Sequence, residues 1–202
     1  DSYRVLARLV EAARELDAEA VGNGRLQTRK AKKLAVKIAR KVSKKPRPQE
    51  ALKPLYSSLI QLVTDICHWS QSVREALRER KSRYAILEQA TADCLARELA
   101  HYRDLALRVV HQAARRVLAG QSVPNQEKIF SIFEPHTELL KRGKAAKPIE
   151  FGHMIQIQQV GGKFITDYDV FEKKPVEHQL LEPALASHHK LFGHPPEMVA
   201  AD

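Results

Sequence analysis

The sequence predicts an α+β protein in which a long, basic helical region precedes a smaller sheet-bearing one. Apolar residues recur at steps of three and four from Leu6 to Val117, the rhythm of helices that bury one face. Between Phe151 and Phe171 they alternate instead, around Gly161-Gly162, as strands of a hairpin do. The charge changes with the pattern. Residues 1–125 carry 25 Lys and Arg against 13 acids, whereas residues 126–202 carry 9 against 11, so the formal net charge of +10 belongs to the first part. A basic helical region over 1–123 and a second region over 124–202 follow from these shifts.

The first helix is expected to start on Asp1-Ser2, either of which can cap it, and to carry Leu6, Leu9, Val10, Ala13 and Leu16 to a stop near Gly22-Asn23-Gly24. From Arg25 to Arg47 there are eleven basic residues and no acid, interleaved with Leu26, Ala31, Leu34, Ile38 and Val42. This predicts a basic amphipathic helix closed by Pro46 and Pro48. Leu52, Leu55, Leu59, Leu62, Ile66, Trp69, Val73 and Leu77 then mark a long helix. After a break near Ser82, Leu87, Thr91, Leu95, Leu99, Tyr102, Ala106, Val109, Ala113 and Val117 mark another, antiparallel to it along a shared seam. Gly120 to Asn125 punctuates the change of pattern.

Beyond it, Ile129, Phe130, Ile132 and Phe133 predict a short strand, and Pro135 to Pro148 a basic loop. Strands over Phe151–Val160 and Lys163–Phe171 should pair through the Gly161-Gly162 turn. A helix over about Pro175–Phe192 leads to a last strand, Glu197-Met-Val-Ala-Ala-Asp202.

No stretch approaches the ~18 uncharged apolar residues of a membrane span, and no charged-then-apolar leader opens the chain, so a cytoplasmic protein without a membrane partner is expected. Cys67 and Cys94 lack metal-ligand spacing and read as small apolar residues of helices. Nucleotide-binding glycine loops, nucleophile elbows and zinc-protease motifs do not occur. Any chemistry therefore rests on carboxylates. Sheets of α/β type commonly carry chemistry at the C-terminal tips of their strands, which makes Asp202 the candidate catalytic residue to weigh, against the ordinary reading of such an acid as solvated or as the cap of a following helix.

Alternation places Asp167 and Asp169 on one face of their strand and Glu172 on the other, so the three cannot converge and read as solvated acids. Glu134, His136 and His153 stand near the candidate strands without an assigned role. His188, His189 and His194 do not make a zinc site, because neighbouring helical histidines point about 100° apart.

The basic segment fits DNA phosphate contact, with Arg29, Lys30, Lys32, Lys33, Lys37, Arg40 and Lys41 as candidate ligands of double-stranded DNA. A plain solvated face is the competing reading. A membrane-surface helix fits less well, because the apolar stripe is narrow and lacks aromatics. Lys141, Arg142 and Lys144, with Lys147, form a second candidate DNA strip.

Three runs of residues carry a resemblance: Lys128-Ile-Phe-Ser-Ile-Phe-Glu-Pro-His-Thr-Glu-Leu-Leu-Lys-Arg-Gly-Lys144, Ile149-Glu-Phe-Gly-His153 and Val199-Ala-Ala-Asp202. In order and spacing they resemble bacterial insertion-sequence transposases of the ISNCY-like group. The resemblance implies a partial ribonuclease-H-like sheet core, in which the hairpin of residues 150–171 lies beside the strand ending at Asp202. Residues 1–123 would then be an all-helical insertion. It also implies DNA transposition by an Asp-Asp-Glu triad holding Mg2+, with the element's ends and a second copy of the chain as partners. Two metals about 3.5–4 Å apart are the usual device for such phosphodiester chemistry. Asp202 falls at the second acid of the triad. Asp1-Ser2 look like the end of the segment that follows the first, and the Glu would lie beyond Asp202. The chain is thus expected to be a fragment, inactive as it stands and prone to associate through an open sheet edge.

Overall fold

The computed structural model describes residues 1–43, 49–141, 149–171 and 175–201. It is a mixed α+β protein, mostly helical, and divides into two compact units, Asp1–Pro135 and His136–Asp202.

The first unit is a helical bundle. Helix α1 (Ser2–Leu16) breaks at Asp17, whose extended backbone (φ −150°, ψ 97°) restarts the chain as the one-turn α2 (Ala18–Val21). Helix α3 (Thr28–Val42) is the basic segment, and the prolines expected to close it lie outside the described residues. Two long helices follow, α4 (Gln49–Glu79) and α5 (Ile86–Ala113), joined by a tight turn over Lys81–Arg83. Glu88 reaches back to accept the Ala85 N–H at 2.9 Å, which satisfies one free donor at the start of α5.

The core shows how the helices run. Leu6 and Ala7 of α1 pack with Leu62, Val63 and Ile66 of α4 and with Leu105 and Ala106 of α5. Val10 and Ala13 pack further along with Val73 and Leu77 of α4 and with Leu99 of α5. α1 and α4 therefore run in the same direction and α5 against them. On α4 the predicted stripe is the buried one. On α5 Leu99 and Ala106 of the predicted stripe are buried and Leu95, Tyr102 and Val109 pack on the core, but the stripe's start is not: Leu87 is 82 % exposed and Thr91 is exposed, while Ala92 and Ala96 take the buried places. Small side chains there let the helix axes approach. Cys67 is fully buried, and burial pushes its thiol up to about 11; Cys94, on the outer side of α5, is exposed rather than buried.

The corner between α2 and α3 is locked from α4. The Trp69 indole donates to the Val21 carbonyl at 3.0 Å, and the Arg14 guanidinium stacks 5.6 Å over its ring and donates to the Gly24 carbonyl at 2.7 Å. A Cβ on Gly24 would lie 2.4 Å from the Trp69 ring. Gly24→Ala is expected to destabilise this unit by about 2 kcal/mol through overpacking, read as a lowered denaturant midpoint at unchanged slope.

Residues 124–135 belong with this bundle. The α5 helix ends in a π-turn over Ala114–Leu118, and the Gln112 side chain clamps the returning chain, accepting the Ile129 N–H at 2.8 Å and donating to the Ile129 carbonyl at 3.1 Å. The strand predicted over Ile129–Phe133 does not form. Ile129 and Ile132, three residues apart, instead fill the helical core.

The second unit holds two separate antiparallel pairs. β1 (Glu138–Lys141) pairs with β2 (Ile149–Gly152), so the predicted basic loop begins with a strand. Gly152, at φ 147°, takes a conformation closed to other residues and ends β2 before β3 (Met154–Val160). β3 pairs with β4 (Phe164–Phe171) across the turn at Gly161–Lys163, from Met154↔Phe171 to Val160↔Phe164 with a bulge at Gln158/Gln159. The final helix starts later than predicted, as α6 (Leu181–Phe192), after a single tight turn at Glu177–Gln179. The last predicted strand is absent: residues 197–201 have no strand pairing, and Met198 is 89 % exposed. Among the described residues the β3–β4 hairpin therefore has no third strand beside it.

Candidate nucleic-acid interface

Helix α3 is built to present cations. Ala31 and Ile38 are buried, and Leu34 packs half-buried against the core. At 100° per residue these fix one side of the helix inward, so Arg29, Lys32, Lys33 and Arg40 fall on the opposite side and Lys30 and Lys37 on the flank. Arg29, Lys30, Lys32, Lys33, Lys37 and Arg40 are exposed and Lys41 is half-buried. None of the seven makes an ion pair or side-chain hydrogen bond among the described residues. Elsewhere in the bundle some cations are paired, as in Arg80 with Asp17 and Glu19, Lys81 with Asp93, and Arg115 with Glu127, and what sets α3 apart is the density of its cations without an intervening acid.

The arrangement works against the helix itself. Arg29/Lys33, Lys33/Lys37 and Lys37/Lys41 are like charges one turn apart, each costing about 0.2–0.5 kcal/mol in an isolated helix. No acid occupies the first turn, where Arg29 and Lys30 oppose the helix dipole, and Gln27 gives no side-chain cap. The helix is held by its neighbours: the Gln27 N–H, at its start, donates to the Tyr3 hydroxyl at 2.6 Å. A polyanion laid along α3 would remove the repulsion that the protein leaves uncompensated.

A further cationic feature was not legible in the charge runs. Arg108, His111 and Arg115, spaced i, i+3 and i+7 where α5 passes into its π-turn, line a cavity of about 310 Å3 with Gln112 and Glu127. Arg115 is held there by Glu127 at 2.6 Å. The spacing on one helix face was the available signal.

Lys141 ends β1, while Arg142, Lys144 and Asp202 lie outside the described residues, as do Lys147 and Glu172. Asp167 is not a free ligand: it accepts from the Ser187 hydroxyl of α6, from the Tyr168 N–H at 2.9 Å and from the Gln158 amide at 3.4 Å. His153 stacks on His136 with ring centroids 5.0 Å apart and donates from Nδ1 to the Phe171 carbonyl at 3.1 Å. His188 packs on Phe192 at 4.6 Å. No three His, Cys, Asp or Glu side chains among the described residues stand together as metal ligands. The described acids thus do not fit a magnesium pair. Among them, too, no helix is long and apolar enough to cross a membrane.

No family model, curated protein or solved structure matches the chain.

Proposed function

We propose that this chain is a DNA-binding piece of an insertion-sequence transposase, holding duplex DNA by its phosphates through α3 and having no strand-cleaving activity of its own. The observation that carries the DNA-binding reading is the row of seven α3 cations without an ion-pair partner among the described residues. Clustered Lys and Arg gain affinity by releasing counterions from the duplex, which needs charge density and no base-reading geometry. The transposase reading rests on the three quoted runs between Lys128 and Asp202. In that reading the sheet-bearing unit is part of a ribonuclease-H-like core and Asp202 one of its metal-holding acids.

Two measurements test it. Duplexes of unrelated sequence should bind with similar affinity, and log K should fall against log salt with a slope of about −5 to −6, as six or so phosphate contacts require. A flat salt dependence would sink the phosphate reading. With Mg2+ and supercoiled plasmid the chain should retain DNA without nicking it. Mg2+-dependent nicking that Asp202→Ala removes would overturn the inactivity. A non-enzymatic DNA-binding protein is the second reading, favoured by the acids' dispersal among the described residues.

A further inference from the structure

The β3–β4 hairpin faces the opposite way from an ordinary half-buried sheet. Its polar face is the covered one: the Gln156 amide donates to the Leu180 carbonyl at 3.3 Å, and Asp167 accepts from Ser187 of α6. Its apolar face looks out. Ile155, Ile157, Ile165, Tyr168 and Val170 are 54, 56, 62, 67 and 57 % exposed. The register gathers them, with Ile155 opposite Val170, Ile157 opposite Tyr168, and Ile165 opposite Gln159. Alternation assigns no charged side chain of β3 or β4 to this face.

We infer that this face is the seat of a two-fold interface with a second copy of the chain, hairpin stacked on hairpin. Three features select that occupant. A neutral face meets its own copy without like-charge repulsion, whereas a charged partner would find no countercharge on it. The five exposed side chains offer on the order of 600 Å2 per copy, so two copies bury roughly 1,200 Å2, the lower end of what specific interfaces need. Two flat rows of β-branched and aromatic residues pack face to face as sheets do, about 10 Å apart, and a two-fold axis lets one patch serve both sides. The inference stands on the hairpin alone and does not require DNA binding.

Sedimentation equilibrium of the full chain, without DNA and in molar salt, tests it. The mass should rise from monomer to dimer between low micromolar and millimolar concentration, in salt that abolishes phosphate contacts. Ile157→Glu with Val170→Glu should weaken self-association by at least about a hundredfold, because four unpaired carboxylates would be buried per dimer. Far-UV circular dichroism should stay unchanged. Val36→Glu, on the exposed side of α3, should leave the dimer intact. Should the double variant lose its fold, Tyr168→Arg alone provides the same reading. A chain that stays monomeric to millimolar concentration overturns the proposal, as does a dimer that persists in folded hairpin variants.

Discussion

Replacing Lys30, Lys32, Lys33, Lys37 and Lys41 with Glu abolishes duplex retention while leaving far-UV circular dichroism unchanged; this is the largest effect expected. Five phosphate contacts correspond to a salt slope of about −4.5, or about a 500-fold loss of affinity between 50 and 200 mM salt. Charge reversal removes that attraction and adds repulsion. The helix itself should tolerate the change, because its burial rests on Ala31, Leu34 and Ile38. The new acids also pair favourably with Arg29 and Arg40. Charge-neutral Gln at the same positions should give an intermediate loss, since it removes counterion release without repulsion. Binding unchanged by the Glu variant would show α3 to be a plain solvated face.

Asp17→Ala should be the most damaging single substitution of a polar residue in the bundle. The Asp17 side chain is 10 % exposed and holds four groups at once. It accepts the Glu19 and Ala20 N–H groups at 3.0 Å, capping α2, and Arg80 Nε and the Tyr84 hydroxyl at 2.7 Å each. It thereby ties the α1–α2 corner to the turn between α4 and α5. Removing it uncaps a helix and leaves the Arg80 Nε–H and the Tyr84 hydroxyl without their acceptor, Arg80 keeping only its Glu19 pair, a cost of about 3 kcal/mol or roughly 10 °C in Tm. The pH dependence has a definite sign. Burial works to raise the Asp17 pKa, but hydrogen bonds from Tyr84, Ala20 and Arg80, together with the Arg80 charge, outweigh it and hold the carboxyl at about 2. A lowered pKa contributes stability above the ordinary value near 3.8, and that contribution is lost as pH falls toward 2. Denaturation of the wild type should therefore steepen below pH 4. In Asp17→Asn that part of the acid sensitivity should vanish.

The helical unit was largely legible because its elements are long and its periodicity is sustained over many turns. Its errors are those of local patterns. Leucine rhythm placed the α5 seam on Leu87 and Thr91, whereas alanines at 92 and 96 make the close approach, and nothing local distinguishes a small seam residue from a neutral surface one. Ile129 and Ile132 looked like a strand because a short apolar run suits either a sheet or a groove between helices. Strand β1 was missed because Glu138–Lys141 is only four residues long and is specified by its partner β2. Alternation marked the hairpin, yet periodicity says only that its faces differ; α6, tied through Ser187, decides which one is covered. For the candidate interface, the α3 cations stood out as an acid-free run, while Arg108 and Arg115 were hidden on a helix of mixed charge.

The corner that leads into α3 also provides an optical probe. Trp69 is the single tryptophan of the chain, and its ring touches Gly24, lies beneath Arg14 and donates to Val21. Its emission thus reports the seating of the segment that delivers the basic helix. A red shift marks its release.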